Sequence, residues 1–156
     1  MRRSHCGGRT DDVESSPPAS DTLASVKAMT SPIDPHAHDP ALRTIAMPAD
    51  ANPDGDIFGG WLLSQMDMAG GSAALERARG RVVTVAIEGM NFHEPVEVGD
   101  EVSCYTHLVR VGRTSLTIHV EAWKRRRDQR RRTKVTEGDF TYVKIDSQRR
   151  PVPIGD

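Results

Sequence analysis

A single stretch of this chain, from about Gly59 to Ala78, has the length and residue content of a substantial α-helix, while everything after Gly80 has the texture of β-strand. That imbalance constrains the fold more than any other feature. The strand-like segments are 81–90, 101–109, 114–124 and 134–145, with a shorter one at 42–47 that Pro48 stops. The segment 114–124 is the clearest. Leu116, Ile118, Val120 and Ala122 alternate with Ser115, Thr117, His119 and Glu121, a period of two that gives a sheet one buried face. Turn signals separate the strands at Pro95, Gly99-Asp100 and Gly112-Arg113, and the charged run 124–132 follows the third. The order strand, turn, helix, then four strands joined largely as a meander predicts an α+β fold in which a sheet of about five strands wraps one helix. One helix cannot cover both faces of such a sheet, so assembly with further copies is expected.

At 156 residues the chain is the size of one domain. A formal net charge of −1 gives no bulk attraction to nucleic acid or membrane, and no apolar run approaches the ~18 residues of a membrane span. Cys6 and Cys104 form neither a disulfide framework nor a zinc spacing, which fits a reducing compartment. Met1-Arg2-Arg3 leads into Asp11, Asp12 and Glu14 with no apolar segment, unlike a secretory or mitochondrial leader, so the cytoplasm is expected. Residues 1–39, broken by Ser15-Ser16-Pro17-Pro18 and by Pro32 and Pro35, read as a disordered tail. The folded domain is expected over 40–150, with 151–156 as a C-terminal tail.

On a helical wheel, Gln65, Ser72, Glu76 and Arg79 form a solvent side, and Asp67 shares the opposite stripe with Gly60, Leu63, Gly70, Gly71 and Ala74. A carboxylate on a small, apolar stripe is costly to bury without partners. Gly70 and Gly71 each cost roughly 1 kcal/mol relative to alanine in mid-helix. Such departures mark either a functional acid or one that caps a loop or pairs with a buried arginine across an interface. The helix begins at Phe58-Gly59-Gly60. Unpaired N–H groups there can receive a carbonyl oxygen, although two glycines also serve a tight turn. Asp56, just before, reads as a turn or capping residue or as a second acid of the site. His93, His107 and His119 show no metal-ligand spacing, and no metal is expected. No Ser-His-Asp order with a nucleophile elbow is present, which argues against a serine hydrolase.

The runs 42–50, 52–62 (with Gly55-Asp56-Ile57-Phe58-Gly59-Gly60-Trp61) and 64–70 closely resemble YciA-type hotdog acyl-CoA thioesterases. So do Gly80-Arg81-Val82-Val83-Thr84-Val85, Glu88-Gly89-Met90-Asn91-Phe92, Pro95-Val96, Val98-Gly99-Asp100 and Val111-Gly112-Arg113-Thr114-Ser115, and the likeness spans roughly 41–153. The resemblance implies a hotdog fold paired into a dimer with active sites at the dimer interface, assembled as a trimer of dimers. It makes Asp67 the catalytic carboxylate, as general base on water or as nucleophile, and puts Asp56 near the thioester, where related enzymes carry an asparagine. Gly59 and Gly60 polarise the thioester carbonyl in this reading, and acyl-CoA is the substrate, with no separate cofactor.

Coenzyme A carries phosphates, so a basic rim is expected. Arg113, with Thr114 and Ser115, resembles the family's nucleotide-binding loop, and Arg81 is a second candidate. The basic run 124–134 departs from the family pattern. It reads as a solvated hairpin tip, with a phosphate of coenzyme A or nucleic acid as other occupants, though no interleaved aromatics favour RNA. Two further readings accompany the thioesterase one. A hotdog enoyl-CoA hydratase needs a catalytic histidine, which the helix lacks. A non-catalytic module sensing acyl-CoA or binding nucleic acid predicts binding without turnover.

Overall fold

The computed structural model describes residues 34–155 apart from 36, so most of the expected N-terminal tail, Cys6 included, lies outside the described residues. The chain runs through β1 (Leu42–Ile45), a 3-10 turn (Pro48–Asp50), α1 (Gly59–Ala78), β2 (Val82–Glu88), β3 (Glu101–Val111), β4 (Ser115–Arg125) and β5 (Thr133–Lys144). The strands form one antiparallel sheet in the order β1-β3-β4-β5-β2.

The meander holds for β3, β4 and β5 and fails for β2. The segment 89–100 that follows β2 is too long to act as a tight hairpin turn, and β2 instead pairs with β5, from Val82↔Lys144 to Glu88↔Asp139. β1 and β2 are thereby the two edges of the sheet, and α1 carries the chain from one to the other across its concave face.

The alternation in β4 translates directly into packing. Leu116, Ile118, Val120 and Ala122 are buried against the helix together with Val102, Cys104, Phe140 and Tyr142. Burial pushes the Cys104 thiol up to about 12, so it stays protonated and is not a nucleophile. From α1 the buried residues are Leu62, Met66, Ala69, Gly70, Ala74 and Ala78. The buried arc is therefore turned from the stripe read off the wheel: Leu62 and Met66 bring the most apolar area and set its centre. Asp67 lies half-buried on its shoulder, and Gly60 is exposed. On the far side Ser64, Met68, Gly71 and Leu75 make a stripe at i, i+4, i+7 and i+11, with Met68 52% and Leu75 56% exposed. α1 ends at Arg79, whose left-handed φ of 48° turns the chain toward β2. Among the described residues no helix is long and apolar enough to cross a membrane.

Candidate active site

Asp67 is held from two strands. Thr84 Oγ1 donates to its Oδ1 at 2.7 Å, and the Tyr142 hydroxyl lies 3.2 Å from the same oxygen and 3.2 Å from the Asp67 carbonyl oxygen. Thr84 and Tyr142 are register partners across β2 and β5, with the register shifting between Thr84 and Ala86. Such bulges bend an edge strand and re-aim its side chains. Tyr142 is buried, and burial first, then the Asp67 charge and the hydrogen bond to it, push its hydroxyl above the ordinary tyrosine value. It therefore acts as a neutral donor. Oδ2 of Asp67 meets no partner among the described residues.

Gly70 makes this arrangement possible. A Cβ there would run into the Tyr142 hydroxyl and lie 3.1 Å from Val120 Cγ2, so a side chain at 70 and the tyrosine cannot both keep their places. The mid-helix glycine is a close-approach residue, one turn from the acid whose neighbour it admits.

The helix start is a separate place within one chain. Phe58, the N-cap, provides no side-chain cap, and its carbonyl accepts from Trp61 and Leu62, leaving the Gly59 and Gly60 N–H groups without an acceptor among the described residues. Both glycines are exposed, and the Phe92 ring packs over Gly59. Beside them opens a largely apolar cleft of about 320 Å³ lined by Ile57, Gly59, Leu62, Phe92, Pro95 and Val96 with their neighbours. Asp67 is not part of it. At 1.5 Å per residue, Gly59 and Asp67 stand about 12 Å apart along the axis. Asp56 is a turn residue: its N–H donates to Asn52 Oδ1 and its carbonyl accepts from the Asn52 N–H, while it bridges to Glu97. Its exposed carboxylate caps no group among the described residues.

The candidate phosphate contacts gather at the opposite end of α1. The Thr114 carbonyl accepts from the Lys144 N–H and the Arg81 carbonyl from the Ile145 N–H, so the end of β5 joins Arg81 to the 112–115 turn. Arg81 and Arg113 are both exposed there, while Thr114 and Ser115 are half-buried. The basic run lies at the helix-start end, and its base is neutralised. Lys124 donates to the Pro95 carbonyl and pairs with Glu94, Arg125 pairs with Glu101, Arg126 with Glu97, and Arg132 donates to the Pro35 carbonyl. Arg127, Arg130 and Arg131 are exposed and meet no acid among the described residues.

One grouping was hidden from the sequence. On the sheet face away from α1, His119, Glu121 and Glu137 bring potential ligand atoms within 4.8 Å of one another. The Lys134 ammonium sits 2.8 Å from Glu137 and 3.5 Å from Glu121, and His119 Nδ1 lies 2.6 Å from Asp139. The carboxylates are thus met by two side-chain cations, and the cluster is an ion-pair network. Nor did the sequence point to Thr84 and Tyr142, which hold Asp67. The signal for them was the glycine pair beside the acid, which announces a close neighbour without naming it.

A curled antiparallel sheet around one helix is the hotdog fold, and residues 54–130 match the thioesterase superfamily. The acyl-CoA thioester hydrolase YciA of Escherichia coli is 52% identical over 116 residues, covering 72% of this chain and 88% of that protein. The chain belongs to this family of acyl-CoA thioester hydrolases. Among solved structures, a hexameric thioesterase from Yersinia pestis matches with a TM-score of 0.72 at 49% identity, over 76% of this chain and 96% of that one. A hexameric broad-specificity acyl-coenzyme A thioesterase matches with a TM-score of 0.71 at 49% identity, over 76% of this chain and 82% of that one.

Proposed function

We propose that this thioester hydrolase cleaves acyl-CoA at sites shared by two copies of the chain, with Asp67 of one copy as the acid of the site and helix-start amides of the other as the oxyanion donors. The observation that carries this reading is the place of Asp67. Its carboxylate is tied to Thr84, on a strand whose outer edge has no partner strand among the described residues. Val85 and Ile87 on β2 are 56% and 37% exposed, and an unpaired apolar edge is where a second copy adds its own strand. The exposed stripe of Met68 and Leu75 gives the helices a matching contact. About 12 Å between Gly59 and Asp67 along one helix is more than a carbonyl and an attacking water bridge comfortably. Two antiparallel helices side by side relieve that separation. Pairing of this kind also accords with the hexameric state of the solved relatives.

Asp67 Oδ2 takes a proton from water as it attacks the thioester carbon, or adds to that carbon itself. The carbonyl oxygen gains negative charge and is met by the N–H groups of Gly59 and Gly60, with Asp56 at the lip of the same helix start. The C–S bond then breaks. Coenzyme A departs as a thiolate, which is stable enough to need no strong general acid. The acyl group is released as a carboxylic acid, directly where water has attacked, and where Asp67 has added only after a water hydrolyses the resulting Asp67–acyl anhydride. Arg113, Thr114, Ser115 and Arg81 form the rim that meets the phosphates, Arg113 and Arg81 through charge and the hydroxyls through hydrogen bonds.

Thiol release from acyl-CoA, followed with a thiol-reactive dye, tests the assignment. Asp67→Asn keeps the size and hydrogen-bonding reach of the side chain but loses its basicity, and is expected to lower kcat about 100-fold or more. Full activity in that variant would remove Asp67 from the mechanism.

A further inference from the structure

We propose that Tyr142 and Thr84 are positioning residues for Asp67, binding its Oδ1 so that Oδ2 alone is presented to the reacting atoms. The proposal rests on the reading of Asp67 as the acid of the site. Both side-chain contacts to the carboxylate fall on Oδ1, from Thr84 at 2.7 Å and Tyr142 at 3.2 Å. Two donors from different strands fix the rotation of the carboxylate plane as well as its position. They occupy Oδ1 and leave Oδ2, already oriented, as the oxygen free to meet the reacting atoms.

The Tyr142 hydroxyl has one proton and lies 3.2 Å from both Oδ1 and the main-chain carbonyl of Asp67, so its bond is shared between two acceptors of one residue and ties the side chain to its own backbone. The Thr84 hydroxyl donates to Asp67 at 2.7 Å, a well-formed hydroxyl-to-carboxylate bond that reaches the acid from a different strand than Tyr142 does. The support is rigid on both sides. Tyr142 is 1% exposed and stacked beside Phe140 with ring centroids 6.5 Å apart. Thr84 is its direct register partner at the point where β2 bulges. Gly70 gives up helix propensity to admit the tyrosine hydroxyl next to the acid.

The test compares steady-state thiol release from butyryl-CoA by the full chain carrying Tyr142→Phe, Thr84→Val, Thr84→Ser or Asp67→Asn, with Tm and oligomeric state measured for each. Tyr142→Phe and Thr84→Val are each expected to lower kcat about 10-fold, with KM within about twofold of the parent and Tm close to it. Thr84→Ser, which returns the hydroxyl, is expected to recover most of what Thr84→Val loses. A merely structural tyrosine or threonine would lower Tm or the yield of folded enzyme and leave the kcat of the folded fraction alone. Should Tyr142→Phe fold poorly, the exposed Thr84 pair carries the test. If kcat stays within about twofold of the parent in Thr84→Val and in folded Tyr142→Phe while Asp67→Asn is inactive, the positioning role is wrong and Asp67 stands. A loss that appears in KM alone would equally overturn the positioning role. If Asp67→Asn is itself fully active, the underlying reading falls and takes this one with it.

Discussion

At the scale of single residues, Gly70 shows how a site can be written into a helix as a missing side chain. Alanine is the better helix former by about 1 kcal/mol, so on propensity alone Gly70→Ala would stabilise the protein. The new methyl, however, meets a buried tyrosine hydroxyl and Val120, and overpacking of this kind costs about 1–3 kcal/mol. Tyr142 is enclosed and cannot swing aside cheaply, so the packing term should win. Gly70→Ala is expected to lower stability by about 1 kcal/mol in denaturant titration and to lower kcat as well, because the displaced hydroxyl no longer reaches Asp67. An increase in stability with unchanged kcat would mean that the tyrosine has room to move and does not hold the acid.

Elements were legible in proportion to how local their causes are. α1 could be bounded from sequence because glycines open it and Gly80 follows it, and the inward face of β4 was given by its alternation. The edge position of β2 was not, because it depends on pairing with β5, far along the chain. For the same reason Asp67 could be suspected from its stripe while Thr84 and Tyr142, 17 and 75 residues away, could not be attached to it. The run 124–134 was plainly basic, but the acids that neutralise its base belong to other segments. The polar face of β4 carries the clearest case. Glu121 pairs in register with Glu137 and His119 with Asp139, so strand pairing alone assembles the charge network. Within it Glu121, helped by Asp139 and Glu137, raises the His119 ring to about 9 although burial opposes this. Burial likewise works against the Glu121 carboxylate, yet His119 and Trp123 hold it below the usual range. A histidine whose folded value is raised contributes stability that is complete below about 6.5 and is lost as pH climbs through about 9. The contribution is on the order of 2–3 kcal/mol. The Tm of the parent should therefore exceed that of His119→Gln at pH 7, and the gap should close by about pH 9.5. A gap that does not change with pH would show that the ring's charge is not what stabilises the sheet.

For the whole molecule, the decisive question is whether one copy can complete a site. A single chain separates the Gly59 amide from Asp67 by about 12 Å along the helix, and among the described residues the outer edge of β2 and the Met68–Leu75 side of α1 stay exposed. If each site takes its acid from one copy and its amides from the other, two differently damaged copies can repair one another. Gly59→Pro is a suitable partner for Asp67→Asn. Proline at the first helical position removes one N–H, its fixed φ suits a helix start, and Phe58 before it already has the extended ψ of 131° that a following proline requires. Loss of one oxyanion donor is expected to reduce kcat about 100-fold. Homo-oligomers of either variant should then be nearly inactive. A mixture dissociated and reassembled together should regain activity, because each mixed pair holds one site with both defects and one with neither. With random pairing, half of the pairs are mixed and half of their sites are intact, so recovery should approach about a quarter of the parent rate. Recovery should also depend on exchange of subunits, and mixing the two assembled variants without dissociation should give far less. If the reassembled mixture is no more active than the sum of its parts, acid and amides act within one chain, and the exposed edge of β2 has some other use.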